Sequence, residues 1–241
     1  MFYDRPKEPK THTTTPYYVG NSVIGIKYTG GILLGTDLRL NYGGLNKYNN
    51  ISDRLTRVNN NTIMGCSGEY SDFQEVTRIL NEETLKDSLN SQSYLGPSEI
   101  TNYLSSTCYY KRNKMDPYLI SSVVGGVDWN GNLVLYNVDQ FGTKLEGSYF
   151  ATGMSCYFAN PVIERELPKK DVVFTRKQAI DLLEKCFKVL YHRDCRAGNN
   201  IKYAYLELDN NNTLVYGDLE KSFKGNWNFE IFRHPQNEFY R

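Results

Sequence analysis

The chain has 241 residues, which is enough for one large domain or two small ones with a substantial apolar core. Its formal net charge is +1 and its basic residues are mixed with acidic ones, which argues against nucleic acid or an anionic membrane as a partner. No apolar run approaches the roughly 20 residues of a membrane-spanning helix, and the first residues lack the pattern of a signal peptide. We therefore expect a soluble intracellular protein.

The first elements are predicted to be an arm and a tight hairpin. Residues 1–20 are polar and proline-rich, which predicts an extended or poorly ordered arm. Two apolar runs follow, Val23–Tyr28 and Ile32–Thr36, and Thr29-Gly30-Gly31 between them is typical of a hairpin turn. Asp37 stands at the exit of the second run. A buried carboxylate is costly unless paired, so Asp37 is either a capping residue or part of a functional site.

The remaining elements follow from periodicity and turn residues, with a loop over Asn41–Asp53. Further strands are predicted at Arg54–Val58, Thr62–Ser67, Leu119–Val127, Leu133–Val138, Lys144–Gly147, Tyr149–Thr152, Tyr203–Leu208 and Thr213–Tyr216. Helices are predicted over about Asp72–Asn90, over Met154–Arg165 and over Thr175–Asp194. Another helix is predicted with Ser98 as its N-cap, and its apolar face consists of Ile100, Tyr103, Leu104 and Cys108. Capping boxes are expected at Ser71/Gln74 and Thr175/Gln178.

The order of these elements predicts the fold class. Strands and helices come in separate blocks, which argues against a doubly wound α/β sheet. We predict an α+β fold in which two antiparallel sheets pack face to face, with a pair of helices outside each sheet. No linker interrupts the interior of the chain, so these elements form one domain.

Familiar catalytic motifs are absent from the chain. It has no glycine-rich phosphate loop, no HExxH, no GxSxG and no CxxC pair, so we expect neither a cofactor nor a metal. Of the histidines His12, His192 and His234, the first and last lie in predicted arms, which makes a serine or cysteine nucleophile with a histidine base hard to build. The five cysteines are odd in number and widely spaced, so we expect buried thiols in a reducing compartment.

Asp194 is the other carboxylate of interest, at the predicted end of the longest helix. Negative charge there opposes the helix dipole, so we expect this carboxylate to have a specific partner. Two interpretations stay open. Asp194 organises the following loop as a hydrogen-bond acceptor, or it belongs to a functional site.

Several of these segments, taken together, resemble the β-subunit family of the proteasome. The matching motifs run in one register and are Gly31-Ile-Leu-Leu-Gly-Thr-Asp37-x-Arg39, Gly65-Cys-Ser-Gly68, Val124-Gly-Gly126, Tyr136-x-Val-Asp139-x-x-Gly142, Ala151-Thr-Gly153 and Tyr191-His-Arg-Asp194. The resemblance implies the four-layer αββα sandwich of N-terminal nucleophile hydrolases. In active members the mature chain begins with a threonine, whose hydroxyl is the nucleophile and whose freed α-amine is the base.

The resemblance also implies which positions would carry that chemistry. The nucleophile position falls on Asn21, the lysine position on Arg54, and the two serine positions on Met154 and Ala197. Asp37, Asp194 and Gly68, whose amide would form the oxyanion hole, are retained. Asparagine has no hydroxyl, and arginine does not replace lysine where protons are exchanged. Thr13, Thr14 and Thr15 come too early in the chain, and Ser22 points to the opposite face of the strand. We therefore expect no catalytic residues.

The resemblance is strongest to one non-catalytic member of the β ring, whose C-terminal extension reaches the opposite β ring. It implies that other proteasome α and β subunits are the partners, in the cytoplasm and the nucleus. We expect an arm at residues 1–20, a β-type domain at 21–221 and an interaction tail at 222–241. Two alternatives remain, an active threonine peptidase of the same fold and a free-standing β-sandwich binding protein. A tail folded onto its own domain is the alternative to an interaction tail, whose aromatic residues we interpret as interface anchors.

Overall fold

The computed structural model describes residues 15–50, 53–90, 95–166, 174–208 and 213–224. The strands within these ranges are β1 (Tyr18–Gly20), β2 (Val23–Tyr28), β3 (Gly31–Asp37), β4 (Arg39–Tyr42), β5 (Leu45–Asn49), β6 (Leu55–Asn59), β7 (Thr62–Glu69), β8 (Ile120–Val127), β9 (Leu133–Val138), β10 (Lys144–Glu146), β11 (Tyr149–Thr152), β12 (Asn200–Leu208) and β13 (Leu214–Ser222). The helices are α1 (Tyr70–Asn90), α2 (Pro97–Asn113), α3 (Ser155–Phe158), α4 (Asn160–Glu166) and α5 (Arg176–Arg193).

The strands form two antiparallel sheets. The larger sheet has eight strands in the order β10-β9-β8-β7-β1-β4-β5, and β6 is also paired with β7. The smaller sheet has five strands in the order β11-β2-β3-β12-β13. The first hairpin lies inside the smaller sheet, where Val23 is opposite Thr36 and Asp37 is opposite Ile201. The hairpin is therefore hydrogen-bonded to a further strand on each side, to β11 next to β2 and to β12 next to β3.

Three apolar clusters separate the layers of the fold. The first, between the two sheets, is formed largely by Val23, Ile32, Leu34, Ile63, Val123 and Leu135. The second packs α1 and α2 against the larger sheet, and the third packs α3, α4 and α5 against the smaller one. The predicted α+β class and the four-layer αββα sandwich are thereby confirmed.

Local sequence accounts for the two elements that were predicted best. The turn of the first hairpin is Thr29-Gly30, and Gly30 has a φ of +83°, which favours glycine because it has no Cβ. The N-cap of α5 is Thr175, whose hydroxyl accepts from the Gln178 N–H, while the Gln178 side chain accepts from the Thr175 N–H at 2.9 Å. This capping box is the predicted one, and it satisfies two backbone donors that a helix start leaves unpaired.

The helix N-caps predicted at Ser71 and Ser98 are wrong. Helix α1 begins at Tyr70, before Ser71, and the Ser71 hydroxyl donates to the Glu69 carboxylate at 3.1 Å instead of capping the helix. Helix α2 begins at Pro97, so Ser98 is inside the helix, and the N-cap is Gly96 without a side-chain bond. In the first case β7 runs directly into α1, and this connection leaves no separate capping residue. In the second case proline at the first helical position already provides a helical φ.

The structure also corrects the extent of four other elements. The predicted loop at 41–53 contains most of an antiparallel β4–β5 hairpin, the predicted arm ends in β1, and β13 continues to Ser222. β1 pairs with β4 and β7, which come later in the chain, so its hydrogen bonds are not revealed by a local pattern. The predicted helix Met154–Arg165 is divided into α3 and α4, with Pro161 in the first turn of α4. The connection at 209–212 between the last two predicted strands and most of the predicted tail at 222–241 lie outside the described residues.

Two predictions about exposure are wrong in part. Tyr103 was placed on the apolar face of α2 but is exposed, whereas Ile100, Leu104 and Cys108 are buried. All five cysteines are free thiols, but Cys156 is half-buried and Cys195 is exposed. No helix among the described residues is long and apolar enough to cross a membrane.

Candidate functional site

The four polar residues singled out by the sequence converge at one end of the smaller sheet. Asn21 links β1 to β2, Asp37 ends β3, Arg54 precedes β6 and Asp194 follows the last residue of α5. All four side chains are buried, with between 1% and 7% of each residue exposed. Buried polar groups of this kind require partners, and the partners define two pairs.

The first pair joins Asn21 to Asp194. The Asn21 side-chain Nδ2 donates to Oδ2 of Asp194. The other oxygen, Oδ1, accepts from the backbone N–H of Arg196 at 3.0 Å, and the Asp194 N–H donates to the Leu190 carbonyl at 2.8 Å. Asp194 therefore has the specific partners that its position at the helix end requires. It both organises its loop and fixes the amide of Asn21.

The second pair joins Arg54 to Asp37. The Arg54 Nη2 donates both to the Asp37 carboxylate and, at 2.7 Å, to the Asp37 carbonyl oxygen. The other carboxylate oxygen accepts from the N–H of Gly198 at 3.0 Å. Burial raises the pKa of the Asp37 carboxyl, while the Arg54 charge and the Gly198 N–H act in the opposite direction. Asp37 is thus part of the site and does not cap a helix.

Arg54 is packed against the chain that precedes Asn21. A Cβ added to Gly20 would lie 2.1 Å from Cδ of Arg54, so a side chain at position 20 would clash with the arginine. Gly20 itself is paired with Leu40 in β4 and with Gly68 in β7. The segment that leads into Asn21 is consequently a strand of the larger sheet.

Glu69 holds this preceding segment in place, and the sequence analysis did not identify it. One carboxylate oxygen of Glu69 accepts from the backbone N–H groups of Tyr17 at 2.5 Å and Tyr18 at 3.0 Å. The Tyr18 ring also stacks on Tyr48 and packs against Tyr42. The feature of the sequence that could have pointed to Glu69 is its position, as a carboxylate at the end of the largely apolar strand β7. These contacts make residues 17–20 an ordered part of the domain.

A cavity of about 360 Å³ adjoins Asn21. Among its lining residues are Asn21, Gly68 and Met154, whereas Ser22 is buried away from it. Gly68 has a φ of +107°, and a Cβ there would lie 2.2 Å from the Leu119 carbonyl oxygen. The structure therefore brings the predicted nucleophile, oxyanion-hole and first serine positions to one cavity, with no side-chain hydroxyl on any of the three.

The second serine position, Ala197, is buried beside Asp194. Its N–H donates to the Asp194 carbonyl at 3.1 Å and its own carbonyl accepts from Nη1 of Arg39 at 2.8 Å. Gly153 belongs to the motif Ala151-Thr-Gly153 and packs directly against the backbone of Asn21. A Cβ at position 153 would lie 1.9 Å from the Asn21 carbonyl oxygen and would clash with it. Among the described residues no group of three or more His, Cys, Asp or Glu side chains is placed to hold a metal.

This fold, with a first hairpin that presents residue 21 beside a buried aspartate, defines the class of N-terminal nucleophile hydrolases. A family model described as "Proteasome subunit" matches residues 17–206. The chain belongs to the proteasome subunit family.

Similar proteins support this assignment and extend it along the chain. Proteasome subunit beta type-4 of Arabidopsis thaliana is 36% identical over 230 residues, which cover 95% of this chain and 90% of that protein. Proteasome subunit beta type-4 of Xenopus laevis is 34% identical over 220 residues, or 91% of this chain and 88% of that protein. Proteasome subunit beta type-7 of Saccharomyces cerevisiae is 31% identical over 228 residues, which cover 92% of this chain and 85% of that protein. The resemblance to one member of the β ring is confirmed, and that member is subunit beta type-4.

Proposed function

We propose that this chain is a non-catalytic structural subunit of the β ring of the proteasome core particle. It builds the ring and the chamber wall, in support of ATP- and ubiquitin-dependent protein degradation in the cytoplasm and the nucleus. The observation that carries the proposal is the state of Asn21, whose side chain has no hydroxyl and whose amide is bonded to Asp194.

The residues at the candidate site argue against peptidase activity. A threonine peptidase of this fold needs a hydroxyl nucleophile and a freed α-amine as its base. The carboxamide of Asn21 has no hydroxyl, so the nucleophile is missing. Arg54 stands at the lysine position and is held by Asp37, and an arginine does not replace a lysine where protons are exchanged. Met154 and Ala197 carry no hydroxyl that could surround an amine.

A covalent probe directed at catalytic threonines tests the proposal. We expect the probe to label other β subunits of the purified core particle and to leave this chain unlabelled. Labelling of this chain at or near Asn21 would establish the alternative, an active threonine peptidase. Size-exclusion of the endogenous protein addresses the second alternative, because a free-standing binding protein would elute as a stable monomer and a core subunit would elute with the particle.

We further propose that residues 222–241 form a tail that bridges the two β rings. The tail begins where β13 ends, at Ser222 on the edge of the smaller sheet. The Phe223 N–H donates to the Asn199 carbonyl at 2.7 Å, and its ring packs on the cluster under α5. This anchor fixes the root of the tail, and the aromatic residues beyond it are suited to contacts with other subunits.

A further inference from the structure

An aromatic surface at the C-terminal end of α2 adjoins the candidate site through Phe141, which also lines the cavity next to Asn21, and extends away from it along the helix. Tyr109, Tyr110 and Met115 are 53%, 61% and 78% exposed, and Phe141 from the β9–β10 loop is 49% exposed beside them. We call these four residues, together with Arg112 and Lys114, the α2 surface. Exposed apolar groups that lie together mark interaction sites more often than single exposed residues do.

The loop that carries Phe141 is fixed before any partner binds. The Asp139 carboxylate accepts from the N–H groups of Phe141 at 2.9 Å and Thr143 at 2.8 Å. The Ser105 hydroxyl of α2 donates to the Gly142 carbonyl at 2.5 Å, and a Cβ on Gly142 would lie 2.7 Å from the Ser105 carbonyl oxygen. Because the loop is already ordered against the helix, binding through Phe141 loses little conformational entropy.

The α2 surface is also positively charged. The guanidinium of Arg112 lies 5.3 Å from the ring centre of Phe141, and Nζ of Lys114 lies 5.4 Å from that of Tyr110. Among the described residues neither cation forms an ion pair, whereas the neighbouring Lys111 is paired with Asp116 at 3.0 Å. Two cations held over aromatic rings, without a carboxylate, are available to an acidic partner.

We propose that the α2 surface docks onto a carboxylate-bearing surface of a neighbouring subunit in the core particle. This inference rests on the proposed function and names one of its partner surfaces. The aromatic rings would supply the apolar contact, and Arg112 and Lys114 would select acidic groups by charge complementarity. Two cations are too few for the multiple phosphate contacts of nucleic-acid binding, so a protein surface is favoured.

Chemical footprinting of the purified core particle tests the proposal. We expect an amine-acetylating reagent to modify Lys114 about tenfold more slowly in the intact particle than after dissociation, which corresponds to about 1.4 kcal/mol of protection. Zero-length carbodiimide coupling should join Lys114 to an Asp or Glu of another subunit. Equal acetylation before and after dissociation would overturn the inference. Protection that disappears after nuclease treatment would overturn it as well, in favour of nucleic acid.

Charge reversal provides a second measurement. R112E/K114E should enter the core particle about tenfold less than wild type in a co-expression competition, while the charge-conserving R112K/K114R variant should enter within about twofold. Equal entry of the reversed variant would contradict the inference. If the chain is absent from the particle, both the proposed function and this inference fail. If it is present with a freely reactive Lys114, only this inference fails.

Discussion

The side-chain amide of Asn21 donates a hydrogen bond to the carboxylate of Asp194, across 173 positions of the chain. This contact joins the start of the first hairpin to the C-terminal end of α5. An amide satisfies the buried carboxylate without introducing charge. The position that in active relatives carries a nucleophile therefore contributes here to the stability of the fold, and the following predictions test this and its neighbouring contacts.

Restoring a threonine at position 21 should not restore peptidase activity. In Asn21→Thr the residue would gain a hydroxyl, but Arg54 would still occupy the lysine position and would still be paired with Asp37. We expect the particle that contains this variant to cleave peptides at the wild-type rate, with no new labelling by a threonine-directed probe. New labelling of the variant chain would show that the site is closer to activity than we infer.

Removing the amide of Asn21 should destabilise the fold. Asn21→Ala leaves a buried oxygen of Asp194 without its donor, which costs about 1–3 kcal/mol of unfolding free energy. Asn21→Asp should cost more at neutral pH, because two adjacent carboxylates repel each other, and the difference should shrink as the pH falls and one of them is protonated. Thermal unfolding of the three proteins at several pH values measures this. A pH-independent difference between Asn21→Asp and wild type would contradict the prediction.

Breaking the buried pair of Arg54 and Asp37 should have the largest effect of the single substitutions. Arg54→Met leaves the Asp37 carboxylate buried without its cation, at a cost of about 3–5 kcal/mol. Arg78→Met is a suitable control, since Arg78 pairs with Glu75 and Glu82 on the exposed surface of α1, where solvent screens the charges and such pairs contribute little to stability. Denaturant unfolding or soluble yield compares the two. Equal losses would argue against a structural role for the buried pair.

The segment before Asn21 should be needed for the fold from Tyr17 onward. Deletion of residues 1–14 should be tolerated, whereas deletion of residues 1–20 should expose β4 and β5, because β1 joins them to β7. Glu69→Ala should loosen the same segment by about 1.5–3 kcal/mol, since its carboxylate binds two backbone N–H groups. Limited proteolysis with N-terminal sequencing measures this loosening. Ser71→Ala, which removes a donor to Glu69 and keeps the carboxylate, should change little.

Truncation should separate the tail from the domain. A chain that ends at Lys224 keeps β13 and the packed Phe223, so we expect normal folding but accumulation of half-particles. A chain that ends at Lys221 loses the Phe223 anchor as well and should also be less stable. Native gel analysis separates half-particles from full particles. Normal yield of full particles from the chain that ends at Lys224 would defeat the proposal that the tail bridges the two rings.

Predictions from the sequence succeeded where the signal is local. The Thr29-Gly30 turn, the capping box at Thr175 and the apolar face of α5 each follow from residues within a few positions of one another. They failed for β1 and for the β4–β5 hairpin. β1 has only three residues and pairs with β4 and β7, which lie more distant in the chain, while β4 and β5 are short and rich in polar residues, so neither shows the apolar alternation of a strand.

The sequence by itself determined the chemistry available at the candidate site. Asparagine at position 21, arginine at position 54 and methionine at position 154 leave these three positions without a hydroxyl or a lysine. Only the tertiary structure decided what these residues do instead. The partners of Asn21 and Arg54 come from distant segments, and burial makes each hydrogen bond necessary because no water can replace it.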